Sequence, residues 1–382
     1  MSTCVLTEAK FAEIVAQNGG RVYRVGGCVR DSIMGIPPQD MNYCIVGMVR
    51  KNFQMLFSES EDCGKAYPVF HLVIDGMKRE AAFARTEQKA GNGVKISAKP
   101  RITIEEDLFR RDTTVNSMAQ DCLTGEIIDP CHGRTDLAAR ILRANGPHFA
   151  DKPLRALKIA GQAARLGFAI DSDTLPLVAA VREELAHVPA ERMTAELISV
   201  LSDAQAPGCF FRVLAETGLL PVSFKEIADL PAEVFIQAMD GLDLAAKATP
   251  NAKVRFAALG VVLDQESLGL WSQRMKLPVS WTEGALAVRQ TVVFLESPTA
   301  AKLVDSINKL KRGALTLEEF DLITKATGLK IPQLGPLKAG MVLPPGEAVP
   351  ENLKGKEIGE WLRQKHVKAI EANYGSYLQL KS

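Results

Sequence analysis

The stretch that most constrains this chain is Arg21 to Gly47, RVYRVGGCVRDSIMGIPPQDMNYCIVG. An apolar run through Val22 and Val25 breaks at Gly26-Gly27, a helix-length segment leads to Gly35, and a second apolar run opens at Asp40-Met41-Asn42. The pattern predicts strand, tight turn, helix, loop and strand. Paired glycines let backbone approach a ligand and present amide N–H groups to an anion, and Arg30 adds charge one helical turn on. Side chains alternate along a strand, so Asp40 and Asn42 share a face, near the glycine turn if the two strands are neighbours. Such a grouping suits a triphosphate held with a metal ion. A Gly-Gly turn followed by Arg also serves as a plain strand-to-helix connection, so the turn alone does not decide.

The whole pattern is more specific. GG-x-VRD, a helix ending in Gly35 and an Asp opening an apolar strand resemble the signature of the class II tRNA nucleotidyltransferase and poly(A) polymerase family. In that family the strand carries Asp-x-Asp, whose two carboxylates hold Mg²⁺ for nucleotidyl transfer; here the second is Asn42. The resemblance implies a catalytic Asp40, a metal held by Asp40 and Asn42, and Gly26, Gly27 and Arg30 at the nucleotide.

A chain of 382 residues, 47% of them hydrophobic, has core enough for more than one domain. The net charge of +1 leaves a nucleic-acid partner open, because a basic face depends on distribution rather than sum. Seven cysteines without a C-x-x-C pair argue against a disulfide framework and a zinc site, and fit a reducing cytoplasm. The five histidines, at 71, 132, 148, 187 and 366, are too scattered in sequence to suggest a ligand set. No run of about 18 apolar residues and no leader pattern appears, so no membrane span is expected, and the chain reads as soluble and intracellular.

Leu6, Phe11, Ile14 and Val15 predict an amphipathic helix on the first sheet, and Val49 to Phe57 predicts another. Two strands follow, through Val69, His71 and Val73 and through Glu80, Ala82 and Ala84, joined at Asp75-Gly76. Glu80 reads either as a solvated edge residue or as a further acid beside the Asp40 strand, and the resemblance favours a catalytic role. Lys89 to Pro100, with Gly91, Asn92 and Gly93 among Lys89, Lys95, Lys99 and Arg101, reads as a basic, mobile loop over phosphates or as a solvated hairpin end. Ile104 to Asp121 predicts one helix on which Asp112 and Asn116, at i and i+4, reach a single ligand. Its RRD-x-T-x-N resembles the family's second motif, which implies Arg111 on the triphosphate and Asp112 and Asn116 on the ribose side. LTGEIIDPCHGRTDL, Leu123 to Leu137, resembles the third motif, a strand, turn and helix start that keeps Asp129 and Asp136.

From Asp151 onward the hydrophobic period becomes helical in KPLRALKIAGQAARLGF, DTLPLVAAVREELAHV and ERMTAELISVLSD, with Gly167 a predicted C-cap. The first of these helices is where the family reads the base, through Glu-Asp-x-x-Arg and two further arginines. The matching positions here are Asp151, Lys152, Arg155, Lys158 and Gly161, and Arg155 alone is unchanged. Cytosine and adenine each present an amino group that needs an acceptor, and Lys152 offers donors only. Selection of C and A therefore loses its usual basis at that position. Lys158 keeps a phosphate-binding charge without the fork of arginine. Arg192 and Glu196 lie in the last head-and-neck motif and read as a structural i,i+4 pair.

Beyond residue 230 the resemblance thins to a long bacterial variant ending in a phosphohydrolase with a His-Asp dipeptide. RFAALGVVLD, Arg255 to Asp264, stands at the corresponding place, and no His-Asp pair occurs anywhere in the chain. Helices are expected to continue to a Pro- and Gly-rich break over Ile331 to Pro350 and a terminal helix. Lysines 302, 309, 311, 325, 330 and 338 with Arg312 offer a phosphate-binding face or an ordinary solvated one.

The expectation is an α+β fold. A nucleotidyltransferase head with a mixed β-sheet occupies 1–145, a helical neck 146–225, and a helical body and tail 226–382. The activity implied is template-independent addition of C and A to tRNA 3′ ends from CTP and ATP with Mg²⁺. The alternatives are a catalytically impaired paralogue that binds tRNA, or an RNA nucleotidyltransferase with altered base choice.

Overall fold

Thr7 accepts a hydrogen bond from the Lys10 amide and so starts α1 (Glu8–Gln17), which lays Phe11, Ala12 and Val15 on the sheet. The computed structural model describes residues 5–38, 40–63, 68–90, 93–330, 334–339, 341 and 346–378. β1 (Arg21–Val25) enters a turn at Gly26, whose φ of 78° favours glycine, and α2 (Gly27–Ile33) leaves it, followed by Gly35 at positive φ. Next come β2 (Asn42–Val46), α3 (Arg50–Leu56), β3 (Glu61–Asp62), β4 (Val69–Ile74) and β5 (Met77–Phe83). Asp75 and Gly76 both take positive φ, 51° and 74°, as a two-residue type I′ hairpin requires.

The sheet runs β3, β4, β5, β2, β1, then β8 (Ala119–Asp121) and β9 (Ile127–Ile128). β2 pairs with β5 in parallel and the other neighbours are antiparallel. On one face Val22, Tyr43, Ile45, Phe70 and Phe83 meet Phe11 of α1 and Phe53 of α3. Phe53 centres that core, 4.7 Å from the Phe70 ring and 4.8 Å from Phe57. The opposite face carries Tyr23, Val25, Cys44 and Ala84, covered by Ile104 and Leu108 of α4 (Ile104–Phe109). β2 begins at Asn42 rather than Asp40, so Asp40 stands just ahead of the strand. Pro37 and Pro38 lie close before it and have no N–H for a ladder.

One pair of alternatives is decided in favour of the hairpin, and two further expectations are corrected. Lys89 and Lys95 belong to a two-stranded ribbon, β6 (Thr86–Ala90) with β7 (Gly93–Ser97), while positions 91 and 92 of the expected loop lie outside the described residues. The predicted helix over Ile104 to Asp121 ends at Phe109, followed by a 3₁₀ turn over Thr114–Asn116 and then β8. Asp112 uses its carboxylate to accept from the Thr113 amide at 2.8 Å, and two adjacent β-branched threonines further disfavour helix. The helix expected over DTLPLVAAVREELAHV is two, α7 (Leu175–Ala179) and α8 (Arg182–Leu185).

Before these come α5 (Gly133–Ala139), β10 (Ile141–Leu142), α6 (Leu154–Leu166) and β11 (Ala169–Ile170), which pairs in parallel with β10. α6 ends on Gly167 at φ 64°. Gly133 allows α5 to approach the Thr114 carbonyl so closely that a Cβ would lie 2.3 Å from its oxygen. The Asp129 carboxylate accepts from the Gly133 amide at 2.7 Å and the Arg134 amide at 2.9 Å, capping that helix.

Two compact units result, residues 1–163 with 167–187, and residues 164–166 with 188–382. The second is helical: α9 (Ala190–Asp203), α10 (Pro207–Glu216), α11 (Leu220–Ser223), α12 (Lys225–Ala228), α13 (Ala232–Ala248), α14 (Ala252–Gly260), α15 (Gln265–Met275), α16 (Val279–Glu296), α17 (Ala300–Arg312), α18 (Leu317–Ala326), α19 (Leu334–Ala339) and α20 (Lys356–Leu378). Trp271, Phe256, Phe224, Phe210 and Phe211 are fully buried at its centre. Part of its basic surface is already engaged: Lys309 sits 4.5 Å over the Phe294 ring, and Lys302 donates to Ser297 at 2.6 Å. Among the described residues no helix is long and apolar enough to cross a membrane.

Candidate active site

The glycine turn is built for close approach rather than for its first amide. Gly26 N–H donates to the Met118 carbonyl at 3.1 Å, which ties the turn to the segment entering β8. What the bare Cα admits is a guanidinium: a Cβ on Gly26 would stand 3.2 Å from Arg111 Nη1. Arg30 curls over the start of α2, and a Cβ on Gly27 would meet its Nη2 at 3.4 Å. Arg30 Nη1 donates to Asn116 Oδ1 at 2.7 Å while its Nε donates to Asp31 at 2.8 Å. Asn116 Nδ2 lies 3.5 Å from Asp112 Oδ1, and Gln162 of α6 donates to Asp112 Oδ2 at 3.2 Å. Asp112 and Asn116 therefore come together as expected, through a turn instead of a helix.

Arg111 is oriented by a residue that sequence reading missed. Its Nε and Nη2 donate to Asp107 Oδ2 at 3.3 and 2.9 Å, and Asp107, fully buried on α4, also receives Arg110. Burial pushes the Asp107 carboxyl up, yet the charges of Arg111 and Arg110 outweigh it and hold it below the usual carboxylate range. Burial pulls Arg111 down, and Asp107 more than restores it. The i,i+4 spacing of Asp107 and Arg111 was the available signal.

The oxygen side chains expected at a metal lie at one end of strand β2 and on its neighbour β5. Asn42 and Glu80 are register partners on the parallel strands β2 and β5, and both are exposed. Asn42 shares its strand face with Cys44, whose buried thiol feels the charges of Asp107 and Arg111. Asp40 is exposed just ahead of β2.

Two of the positions expected to read the base, Lys152 and Arg155, gather around Glu87 of β6. That carboxylate, with 5% of its side chain exposed, meets Arg85 at 3.2 Å, Arg110 at 3.3 Å, Arg155 at 3.8 Å and the ammonium of Lys152. Burial opposes its ionisation, but Lys152 and the arginines hold it below its ordinary range. Arg155 is buried, donating to the His148 carbonyl at 2.7 Å and to the Arg110 carbonyl. Lys158 is exposed on α6, and Gly161 is buried next to Gln162. Nothing in the sequence joins Glu87 to Lys152, because their contact is wholly tertiary.

Residues 22–143 match the poly A polymerase head domain, and residues 167–230 match a family described as the probable RNA and SrmB-binding site of polymerase A. The head belongs to the poly A polymerase family, and the chain as a whole resembles class II nucleotidyltransferases of the CCA-adding and poly(A) polymerase family. Among solved structures it is similar to a tRNA-processing enzyme in apo form I, at 20% identity and TM-score 0.68, covering 94% of this chain and 96% of that one. It also resembles the Bacillus stearothermophilus CCA-adding enzyme in complex with CTP, at 23% identity and TM-score 0.68, covering 96% and 91%. The Thermotoga maritima CCA-adding enzyme complexed with tRNA matches at 21% identity and TM-score 0.68, again covering 96% and 91%. These likenesses establish the fold, a mixed sheet with helices followed by a mainly helical remainder.

Enzymes of this class generally use divalent metal ions. The side chains expected to hold such an ion here, the carboxylates of Asp40 and Glu80 and the amide of Asn42, are all oxygen donors and suit a hard cation, with one negative charge fewer than an Asp-x-Asp strand would give.

Proposed function

We propose that this chain is a nucleotidyltransferase that adds C and A, without a template, from CTP and ATP to the 3′ end of tRNA. The observation that carries the reading is Arg111, fixed by Asp107 and laid against the Gly26 turn beside the Asn42 and Glu80 edge. In this reading head 1–145 holds the triphosphate, neck 146–225 faces the base, and body and tail 226–382 hold tRNA in the cytoplasm.

The 3′ hydroxyl gives up its proton to solvent as its oxygen bonds to the α-phosphorus, the bridging bond to the β-phosphate breaks, and pyrophosphate departs. Arg111 and Arg30 neutralise the charge that builds on the phosphate oxygens, and Asp112 and Asn116 face the ribose. Mg²⁺, held by Asp40, Asn42 and Glu80, would supply further neutralisation and orientation when bound.

Asn42 brings an oxygen without a charge where negative charge accumulates. A deficit of about 4 kcal/mol in transition-state stabilisation slows the reaction on the order of a thousandfold. The test is incorporation of each labelled nucleotide into tRNA lacking its 3′ CCA. Weak addition is expected, rising by up to about a thousandfold in Asn42→Asp and vanishing in Asp40→Ala. Transfer that is indifferent to both changes overturns the assignment.

A second reading, an impaired paralogue that still binds tRNA, is favoured by one conjunction. Asn42 weakens the metal edge while Lys152 is paired with Glu87. Retained tRNA binding with no transfer by either the unmodified chain or Asn42→Asp would select it. An enzyme with altered base choice would instead show transfer in Asn42→Asp without preference for CTP and ATP.

A further inference from the structure

A second group of metal-binding side chains lies at the far edge of the head sheet. Glu61 of β3 stands opposite His71 of β4 in the antiparallel register, and the Cys63 amide donates to the Val69 carbonyl at 2.9 Å, continuing that ladder by one residue beyond Asp62. Period-two alternation then puts Glu61, Cys63 and His71 on one face. Cys63 Sγ is 3.3 Å from His71 Nδ1, His71 Nδ1 is 3.8 Å from Glu61 Oε2, and one ligand atom from each of the three lies within 4.8 Å of the others. Among the described residues this is the only such group of three. The cysteine and histidine spacing had argued against a zinc site, because the set is assembled across two strands and is invisible as a linear motif.

We propose that Glu61, Cys63 and His71 form a zinc-binding site, three protein ligands with a fourth position open to water. The ligand chemistry and the geometry agree on this. Zinc takes sulfur at about 2.3 Å and nitrogen or oxygen at about 2.0–2.2 Å, so tetrahedral ligands stand roughly 3.4–3.6 Å apart. The Cys63–His71 and His71–Glu61 separations of 3.3 and 3.8 Å bracket that spacing. A thiolate beside an imidazole selects zinc over Mg²⁺ or Ca²⁺, which prefer oxygen alone. Binding is balanced by loss of the Cys63 thiol proton to solvent. It also requires Lys78, whose Nζ lies 2.6 Å from Glu61 Oε2, to swing away. Lys78 is well exposed and its departure needs no repacking.

The site belongs to the same sheet row as the catalytic edge without sharing its ligands. His71 is the register partner of Glu80, which in turn pairs with Asn42. Zinc at Cys63 thus clips the short edge strand β3 to β4, one strand beyond Glu80, and blunts an exposed sheet edge.

The experiment uses the full chain, kept reduced, titrated with Zn²⁺ against a chromophoric chelator and with Co²⁺ as a spectroscopic probe. One zinc per chain is expected, with a thiolate-to-cobalt charge-transfer band and a rise in melting temperature on zinc addition. Cys63→Ser and His71→Ala should each raise the zinc dissociation constant at least about tenfold, a difference of about 1.4 kcal/mol. Lys78→Met should lower it, because the competing cation is gone. Asp40→Ala, at the other end of the row, should leave zinc binding unchanged. Absence of stoichiometric zinc, a cobalt spectrum without the sulfur band, or equal affinity in Cys63→Ser and the unmodified chain overturns the proposal.

Discussion

In the head, the half-buried Arg110 and Arg111 pack against the buried carboxylate of Asp107, and Arg110 also meets Glu87. In the helical unit, Arg255 is itself buried, and its hydrogen bonds go to the carbonyls of Leu201 at 2.9 Å, Ala204 at 3.0 Å, Ala246 at 3.0 Å and Thr249 at 2.7 Å. Those carbonyls close the C-terminal ends of α9 and α13, where the last turns have no internal partner. A cation saturated by helix-end carbonyls is structural. A cation held by one side chain, with another edge at a glycine turn, still has a surface to offer a phosphate. Arg255 opens the segment where the resemblance puts a His-Asp phosphohydrolase motif, so at that position a backbone staple stands in place of a metal-binding pair.

The largest expected effect comes from removing the carboxylate that the head relies on. Asp107→Asn leaves the half-buried Arg110 and Arg111 without their shared buried anion, and breaking a buried pair costs up to about 3–5 kcal/mol. Calorimetric melting should register it, and a loss below about 1 kcal/mol would show that the two arginines find other partners. Arg255→Met should cost less, about 1–3 kcal/mol, because the carbonyls it abandons sit at helix ends. It should leave triphosphate affinity unchanged. Arg111→Ala should reverse that pattern, weakening a nucleoside triphosphate roughly 10- to 100-fold while the nucleoside binds nearly as before. Equal weakening of both ligands would remove Arg111 from the phosphate site and dissolve the contrast with Arg255.

Acid sharpens the same comparison. Asp107 and Glu87 are both held below their ordinary ranges, so the stability they contribute is present above the normal carboxylate range near pH 4 and is lost as pH falls through their lowered folded values. Arg255 is satisfied by carbonyls that do not titrate. Hydrogen exchange at decreasing pH, corrected for the intrinsic rate, should show peptides of α4 and β6 losing protection before those of α13 and α14. Simultaneous loss would mean that the head charges contribute no separate stability.

The sequence made the local turns legible and concealed the tertiary charges. The Gly26 turn, the Asp75-Gly76 hairpin, α1 and the Gly167 cap follow from φ preferences and periodicity that act within a few residues. Val178, Val181 and Leu185 keep helical spacing across the break between α7 and α8, so periodicity reads straight through it. Arg110 to Thr114 has the composition of a charged helix, but Asp112 and the threonines close a turn instead. Arg111, Asp112 and Asn116 were recognisable as motif residues and Asp107 left only its i,i+4 spacing to Arg111, whereas Gln162 and Glu87 became visible only through their contacts.

Glu87 changes what must be done to recover base choice, and here the expected effect is smallest. An acceptor for the amino group of cytosine or adenine is absent at Lys152, and Lys152→Asp on its own restores one. Yet the new carboxylate would stand beside the buried Glu87, which holds Arg155 at 3.8 Å. Two carboxylates would then compete for the same cations, and one would tend to take up a proton and lose its role as acceptor. In an Asn42→Asp background, Lys152→Asp alone should therefore shift preference for CTP and ATP over UTP and GTP by less than about tenfold, the equivalent of about 1.4 kcal/mol. Adding Glu87→Gln removes the competing charge and frees Arg155 to pair with the new acceptor. A well-formed base contact is worth about 1–3 kcal/mol, so the triple variant should discriminate by about tenfold or more. Competitive incorporation of the four labelled nucleotides measures both. Full selectivity from Lys152→Asp without the Glu87 change would show that the β6 carboxylate stands outside base recognition, and that the head's charges are as fixed in purpose as those around Arg255.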